Sequence, residues 1–66
     1  MDNRMNPLRE GQEYDEIKII AEGSKGDGMC RIEGVVVFVP NTRVNKEYRI
    51  KITAVRKTVA FGEIIE

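Results

Sequence analysis

Residues 23–39, GSKGDGMCRIEGVVVFV, decide the fold of this chain because they join a glycine-rich loop to two apolar segments across a short turn. Glycine reaches positive φ at little steric cost, so the three glycines of residues 23–28 predict a tightly bent loop, called the glycine loop below. The dipeptide Glu33-Gly34 has the composition of a tight turn between antiparallel strands. The segment therefore predicts a glycine loop followed by a β-hairpin.

The rest of the chain shows the two-residue period of β-strands and no helical spacing. Residues 48–54 place an apolar side chain at every second position, and residues 17–22 follow a similar alternation. Residues 35–39 form an apolar, mostly β-branched run that suits a buried strand, and residues 59–65 close the chain as a last strand. Together with the strand after the glycine loop, they make five strands. The predicted fold class is all-β, a five-stranded antiparallel OB-like β-barrel.

The length of 66 residues allows one domain with a thin core. Residues 1–10 contain Pro7 and two methionines among polar residues, and they predict a flexible N-terminal tail that adds nothing to the core. The domain itself is expected to span residues 11–66. No signal peptide or membrane-length apolar run is found, and the single Cys30 excludes an internal disulfide. We therefore expect a cytoplasmic protein without a membrane partner.

The chain lacks the residue sets that catalysis, metals and cofactors require. It has no histidine and one cysteine, so the usual metal ligands are missing. The glycine loop has neither the GxxxxGK(S/T) spacing of a P-loop nor the GxGxxG order of a dinucleotide site. No general acid or base stands out among the scattered carboxylates. We therefore predict a protein that is not an enzyme and that binds no metal and no cofactor.

Charge is unevenly distributed along a chain whose net charge is zero. Residues 1–16 hold five acidic and two basic side chains, whereas residues 43–57 hold six basic and one acidic. A basic run of this kind is typical of a surface that binds polyanions, and also of ordinary solvated strands. We expect residues 43–57 and the glycine loop to lie on one side of the barrel and to form one basic face.

The glycine loop and its flanks resemble the signature of the TRAM domain, in which spaced glycines precede a small residue and then a basic one. The corresponding residues, followed here by VFVP, are Gly23, Gly26, Gly28, Cys30 and Arg31. The resemblance extends over about residues 11–66 and is to the stand-alone archaeal type of TRAM protein. It implies an OB-like barrel that binds RNA, similar to a cold-shock protein. It also makes Cys30 a small apolar filler.

The resemblance implies that basic residues contact phosphates and that aromatic residues stack on bases. Phe61 shares a strand with Ala60 and Gly62, whose small size suits the inner face, so Phe61 is expected to point outward. Phe38 lies in a run whose orientation is open, with core packing favoured over stacking. The candidate nucleic-acid-binding residues are Lys25, Arg31, Phe38, Arg43, Arg56, Lys57 and Phe61.

Arg31 is the first choice among these residues because its position beside the glycine loop lets a guanidinium pair with phosphate or stack on a base. The alternative for Arg31 is a surface ion pair with Glu33 or Asp27. One departure from the family pattern is Val35, where free-standing archaeal relatives often carry an aromatic residue after the hairpin glycine. RNA binding without that aromatic residue is expected to be weaker or to depend more on charge.

These expectations predict a protein that binds single-stranded or partly unfolded RNA with low sequence specificity, as a nucleotide-independent RNA chaperone. Its partner would be RNA, with tRNA and rRNA as examples, and the protein would act as a monomer. The alternative is an accessory module that docks on an RNA-modifying or ribosome-associated partner. The two differ in salt dependence, because RNA binding weakens steeply as the salt concentration rises and apolar docking does not.

Overall fold

The computed structural model describes residues 6–65, and every helix or strand element among them is a β-strand. The strands are β1 (Glu13–Lys18), β2 (Ala21–Glu22), β3 (Gly28–Ile32), β4 (Val35–Val39), β5 (Glu47–Val55) and β6 (Val59–Ile64). The predicted all-β class is thereby confirmed. None of the described residues forms a helix long and apolar enough to cross a membrane.

All six strands belong to one sheet with the order β1-β5-β6-β4-β3-β2. β1 and β2 lie at its two ends, yet only Ile19 and Ile20 separate them in the chain. The sheet therefore has to curl until its ends approach each other, which produces a half-barrel. The Ile19 amide donates to the Lys46 carbonyl beside β5. The Ile20 amide donates to Met29 of β3, so the chain changes its partner strand between these two residues.

Two details of the pairing differ from the prediction. The expected strand over residues 17–22 is divided, because the change of partner interrupts its pairing and gives six strands instead of five. The pairing of β4 with β6 is parallel, with Val37 opposite Ala60, rather than antiparallel. β6 lies between β4 and β5 in the sheet. It runs antiparallel to β5 but in the same direction as β4.

Irregularities in the pairing of β5 with both of its neighbours help the sheet to curl. The register of β1 against β5 shifts between Tyr14 and Ile17, where Glu16 has a φ of 52°. The register of β5 against β6 shifts between Ile52 and Ala54. An extra residue on one strand increases the local twist and bends that strand. Both positions therefore favour the strong curvature that a short sheet needs to enclose a core.

The core consists of the inward side chains of the curled sheet. In β4 the side chains of Val35, Val37 and Val39 are buried. Those of Val36 and Phe38 alternate with them and are half-buried on the other face. The buried apolar residues are Leu8, Ile19, Cys30, Ile32, Val35, Val37, Val39, Ile50, Ile52 and Ala60.

The segment before β1 contributes to this core, contrary to the expectation for the N-terminal tail. Leu8 has an exposed fraction of 1%. Asn6 ties the segment to the sheet, because its side-chain amide donates to the carbonyls of Arg56 at 2.9 Å and Val59 at 3.2 Å. A single apolar residue in a polar segment has no periodicity, so the sequence pattern does not reveal it. The rest of the predicted tail, residues 1–5, lies outside the described residues.

The predicted hairpin is confirmed. β3 and β4 are joined by Glu33 and Gly34 alone, and Ile32 lies opposite Val35. Both turn residues have positive φ, 53° and 82°, which is the geometry of a type I′ turn and matches the right-handed twist of the strands. This turn sets the register that distributes the side chains of β3 and β4 between the two faces of the sheet.

The glycines of the glycine loop have two different structural roles. Gly26 has a φ of 90°, so it supplies the predicted positive φ. Gly23 and Gly28 have no positive φ, and the prediction is wrong for these two. Gly28 is buried in β3, and a Cβ at this position would overlap the Thr42 hydroxyl and lie 2.8 Å from a methyl group of Ile19. Gly28 is therefore required for close packing rather than for bending.

Candidate nucleic-acid interface

The outward side chains of β3, β4 and β6 form one continuous surface, called the outer face below. Residues that lie opposite each other in a sheet point to the same side, so strand pairing arranges these side chains in two rows. The first row is Arg31, Val36 and Val59, and the second row is Met29, Phe38 and Phe61. The side chains of these two rows are thus mainly apolar, with one arginine at their edge, and the exposed Glu63 follows Phe61 on the same side of β6.

Two phenylalanines meet on the outer face. The ring centroids of Phe38 and Phe61 are 5.7 Å apart, with an interplanar angle of 30°. Phe61 has an exposed fraction of 37%, which confirms its predicted outward orientation. Phe38 is half-buried and is not part of the core, so the expectation of core packing is wrong, because the hairpin register turns its neighbours Val37 and Val39 inward. The pair offers aromatic surface to the solvent, as base stacking requires.

A second arginine extends the first row. The Arg56 guanidinium carbon lies 6.0 Å from the centroid of the Phe61 ring, within cation–π range. The Arg56 amide donates to the Val59 carbonyl at 2.8 Å, so Arg56 lies beside the end of this row. At a spacing of about 4.8 Å between strands, the backbones of Arg31 and Arg56 are separated by roughly 14 Å measured along the curled sheet. Lys57 follows in the exposed turn between β5 and β6.

Arg31 is exposed, and within residues 6–65 no carboxylate lies within 4.0 Å of its guanidinium. The ion pair found in that part of the chain joins Arg49 to Glu13, with 3.5 Å between Nη2 and Oε1. The alternative in which Arg31 pairs with Glu33 or Asp27 is therefore not observed. Among the described residues, no carboxylate neutralises the charge of Arg31 at the edge of the outer face.

The glycine loop lies beside Phe38. A hydrogen bond from the Gly23 amide to the Asp27 carbonyl, 2.8 Å long, ties the ends of the loop together. An open pocket of about 260 Å³ lies between this loop and Phe38, and Lys25 is among the residues that line it. Lys25 is exposed, so it brings a cation to the edge of the aromatic surface.

Arg43 is the predicted site residue that the structure places elsewhere. It lies in the loop between β4 and β5, at the end of β4 opposite the hairpin. Its backbone amide donates to the Tyr48 hydroxyl at 3.1 Å, which holds this loop against β5. The expected single basic face therefore includes Arg56 but not Arg43. The reason is that the chain leaves the sheet at the end of β4, before Arg43, so Arg43 belongs to no strand.

The apolar part of the outer face was not predicted from the sequence. Met29, Val36 and Val59 are half-buried and surround the two phenylalanines. Each lies two residues from a predicted site residue on the same strand, which is the spacing of side chains on one face. Val35, the position at which the resemblance implies an aromatic residue, is buried and points away from the outer face. An aromatic residue at that position would not extend this stacking surface.

Cys30 has the surroundings expected of a small apolar filler. It is a buried free cysteine, and its Sγ lies 3.7 Å from the carbonyl oxygen of Val37. Burial raises the pKa of the thiol to about 11, so the group is protonated at neutral pH. A protonated, buried thiol is a poor nucleophile, and Cys30 therefore acts in packing.

The profile of the TRAM domain family matches residues 7–65 of this chain. An uncharacterized protein of Methanocaldococcus jannaschii, MJ0660, is 46% identical over 59 residues, which are 89% of this chain and 75% of that protein. Translation initiation factor 2 subunit beta of Methanothrix thermoacetophila is 39% identical over 89% of this chain and 28% of its own length. Ribosomal RNA large subunit methyltransferase E of Methanosarcina barkeri is 45% identical over 91% of this chain and 22% of its own length.

The fold agrees with that of a solved relative. The solution structure of a conserved protein from the gene locus MMP0076 of Methanococcus maripaludis is similar with a TM-score of 0.83 and 43% identity, covering 92% of this chain and 86% of that chain. The chain spans three quarters of the M. jannaschii protein but less than a third of the initiation factor and of the methyltransferase. This chain belongs to the TRAM domain family, whose domain is a non-catalytic RNA-binding β-barrel.

Proposed function

We propose that this chain binds single-stranded or partly unfolded RNA with low sequence specificity and acts as an RNA chaperone that needs no nucleotide. The observation that carries the proposal is the pair formed by Phe38 and Phe61 on the outer face, flanked by Arg31 and Arg56. Membership of a family of RNA-binding domains supports it.

The outer face offers the two kinds of contact that unpaired RNA accepts. Each base has a π-face that stacks on an aromatic ring, and such stacking contributes about 1–3 kcal/mol per base. The arginines beside the rings carry charges that neutralise phosphates. None of the side chains in the two rows is an amide or a hydroxyl that reads the edge of a base. Binding is therefore expected to depend little on sequence.

A chaperone of this kind acts by shifting populations. Bases in a duplex are stacked on each other and do not expose their π-faces to Phe38 and Phe61, whereas unpaired bases do. Binding therefore favours unpaired RNA by the difference between the two affinities, without a chemical step. We propose that the protein acts as a monomer, without catalysis, on RNAs such as tRNA and rRNA. Similarity to a ribosomal RNA methyltransferase supports rRNA as a partner.

Phe61→Ala tests the stacking surface. It is expected to weaken binding of a single-stranded RNA by about 1–3 kcal/mol, roughly 5- to 150-fold, because one ring is removed. Stability should fall by about 1 kcal/mol, the contribution of an aromatic pair, since Phe61 is partly exposed and its removal leaves no closed cavity. Fluorescence anisotropy measures the RNA affinity, and thermal unfolding followed by circular dichroism measures the stability.

Two further variants separate stacking from packing. Phe61→Tyr keeps the ring, so it should keep both the fold and the RNA affinity. Phe61→Leu keeps apolar volume without a π-face, and it should bind RNA as weakly as Phe61→Ala. If Phe61→Ala binds RNA like the unchanged protein, the outer face is not the RNA-binding surface. If Phe61→Ala is unfolded, Phe61 is a core residue and the stacking role is wrong.

Arg31→Ala tests the phosphate contacts. It should weaken binding of unrelated RNA sequences by a similar factor and lower the salt slope, the slope of log K against log salt concentration, by about 0.7. That value corresponds to one phosphate contact on a single strand. Thermal unfolding should change little, because Arg31 is exposed and has no ion pair within residues 6–65.

Arg49→Ala is the matched control, because it removes the same charge from a residue that is paired with Glu13. It should leave the salt slope unchanged. An equal decrease of the salt slope in Arg31→Ala and Arg49→Ala would mean that the net charge of the protein governs RNA binding, and not contacts on the outer face. Loss of stability in Arg31→Ala with intact RNA binding would identify Arg31 as a structural residue.

The alternative function is docking on an RNA-modifying or ribosome-associated protein. Ile20 and Val44 favour it, because their exposed fractions of 57% and 38% leave apolar surface in the solvent. An apolar contact of this kind would resist salt, whereas RNA affinity should fall steeply between about 50 and 200 mM salt. Absence of any salt-sensitive RNA affinity would favour the alternative.

A further inference from the structure

The loop between β4 and β5 borders an open pocket of about 610 Å³ that lies outside the outer face. This pocket, called the loop pocket below, is lined by Glu22, Asn41, Thr42, Arg43, Val44 and Lys46. Within residues 6–65, neither Arg43 nor Lys46 lies within 4.0 Å of a carboxylate oxygen. Two cations and one anion line the loop pocket, so its net charge is positive.

The backbone holds this loop in a defined conformation. Asn41 and Asn45 have positive φ values of 64° and 73°, which asparagine tolerates better than most residues. The Asn45 amide donates to the Ile19 carbonyl at 2.8 Å, and the Ile19 amide donates to the Lys46 carbonyl at 3.0 Å. These bonds join backbone atoms, so the charged ends of Arg43 and Lys46 are not needed to hold the loop. No carboxylate of residues 6–65 forms an ion pair with them.

The loop pocket and the outer face approach each other across the glycine loop. Glu22 lines the loop pocket, and the next residue, Gly23, lines the pocket beside Phe38. Lys25 lies on the glycine loop in the pocket beside Phe38. An RNA strand that continues from Phe38 over the glycine loop therefore passes a cation before it arrives at Arg43.

We propose that the loop pocket is a second RNA subsite, which holds a phosphodiester of the strand whose bases stack on the outer face. The inference rests on the proposed function and gives the bound RNA a path and a minimum length. Arg43 and Lys46 supply charge-assisted hydrogen bonds of the kind that phosphate oxygens accept. No aromatic side chain is among the residues that line the loop pocket, so it suits the RNA backbone rather than a stacked base.

The test is a series of oligouridylates from about 2 to 12 nucleotides, titrated into the unchanged protein and into the variant Arg43→Gln/Lys46→Gln. The shortest RNAs cover the outer face alone, so both proteins should bind them equally. Longer RNAs reach the loop pocket, so their affinity should increase in the unchanged protein but not in the variant. The salt slope of the variant should be lower by about 0.7 for each lost phosphate contact, and only with the longer RNAs.

NMR titrations locate the contact. The amide signals of residues 41–46 should shift with the longer oligouridylates, whereas the shortest should shift only those of the outer face. Uridine monophosphate separates an RNA strand from a free nucleotide as the source of the phosphate. If the mononucleotide saturates the signals of residues 41–46 at the concentrations used for the long RNA, the loop pocket is an independent nucleotide site and the inference is overturned.

Arg9→Gln/Arg49→Gln is the charge-matched control, because neither residue belongs to the outer face or to the loop pocket. It should bind RNAs of every length like the unchanged protein. If Arg43→Gln/Lys46→Gln keeps the full increase of affinity with length, the loop pocket holds no RNA while the outer face remains the site. If the unchanged protein binds none of the oligouridylates, the proposed function itself is contradicted.

Discussion

Replacement of Leu8 by alanine is expected to destabilise the fold by about 2–5 kcal/mol, the usual range for truncation of a buried leucine. Leu8 has an exposed fraction of 1% and belongs to the core. A domain of this size has a total stability of roughly 3–10 kcal/mol, so the variant should be unfolded or should melt far below the unchanged protein. Urea unfolding followed by circular dichroism measures the difference.

Ile20→Ala is the matched control, because it truncates a side chain of similar size at a position with an exposed fraction of 57%. Its stability should stay within about 0.5 kcal/mol of the unchanged protein. Equal stability of the Leu8 and Ile20 variants would mean that the segment before β1 is not packed on the sheet in solution.

Gly28→Ala is expected to cost about 1–3 kcal/mol, which lowers Tm by about 4–24 °C in a domain of this size. A Cβ at Gly28 would overlap the Thr42 hydroxyl and lie 2.8 Å from Cγ2 of Ile19. Both neighbours are buried, and the Thr42 hydroxyl donates to the Val39 carbonyl at 2.9 Å, so neither yields easily. Thr42 also lines the loop pocket, so this contact helps to position that pocket beside the glycine loop.

Gly23→Ala shows whether the loss comes from this contact, because a Cβ at Gly23 would meet only the Asp27 carbonyl oxygen at 3.6 Å. Its Tm should stay within a few degrees of the unchanged protein. Addition of Thr42→Ala to Gly28→Ala removes the overlapping hydroxyl and should restore part of the lost stability. Equal Tm values for the Gly23 and Gly28 variants would contradict the packing explanation.

Features that are determined by residues close together in the sequence were predictable from it. Glu33 and Gly34 form the expected tight turn because glycine adopts positive φ readily and because apolar strands lie on both sides. Ala60 and Gly62 alternate with Phe61, and this two-residue period is sufficient to predict that Phe61 points outward. In both cases the deciding residues lie within a few positions of each other.

The orientation of β4 was not predictable in this way. An unbroken run of apolar residues suits either face of a strand, so the sequence contains no period to choose between them. Pairing with β3 and β6 makes the choice, and it turns Val37 inward and Phe38 outward. The expectation that Phe38 packs in the core was therefore wrong, because pairing with other strands sets the orientation of Phe38.

By itself, the sequence determined the all-β class, the hairpin turn and the basic and aromatic side chains that can serve RNA binding, because composition and local period specify these. Only the tertiary structure decided that Arg31, Phe38 and Phe61 share one surface, since they belong to three different strands. Two of these strands, β4 and β6, pair although they are far apart in the sequence. It also decided that Arg43 lies beside another pocket and that Leu8 completes the core. Hydrogen-bonded register between distant strands groups these side chains, and no local pattern encodes that register.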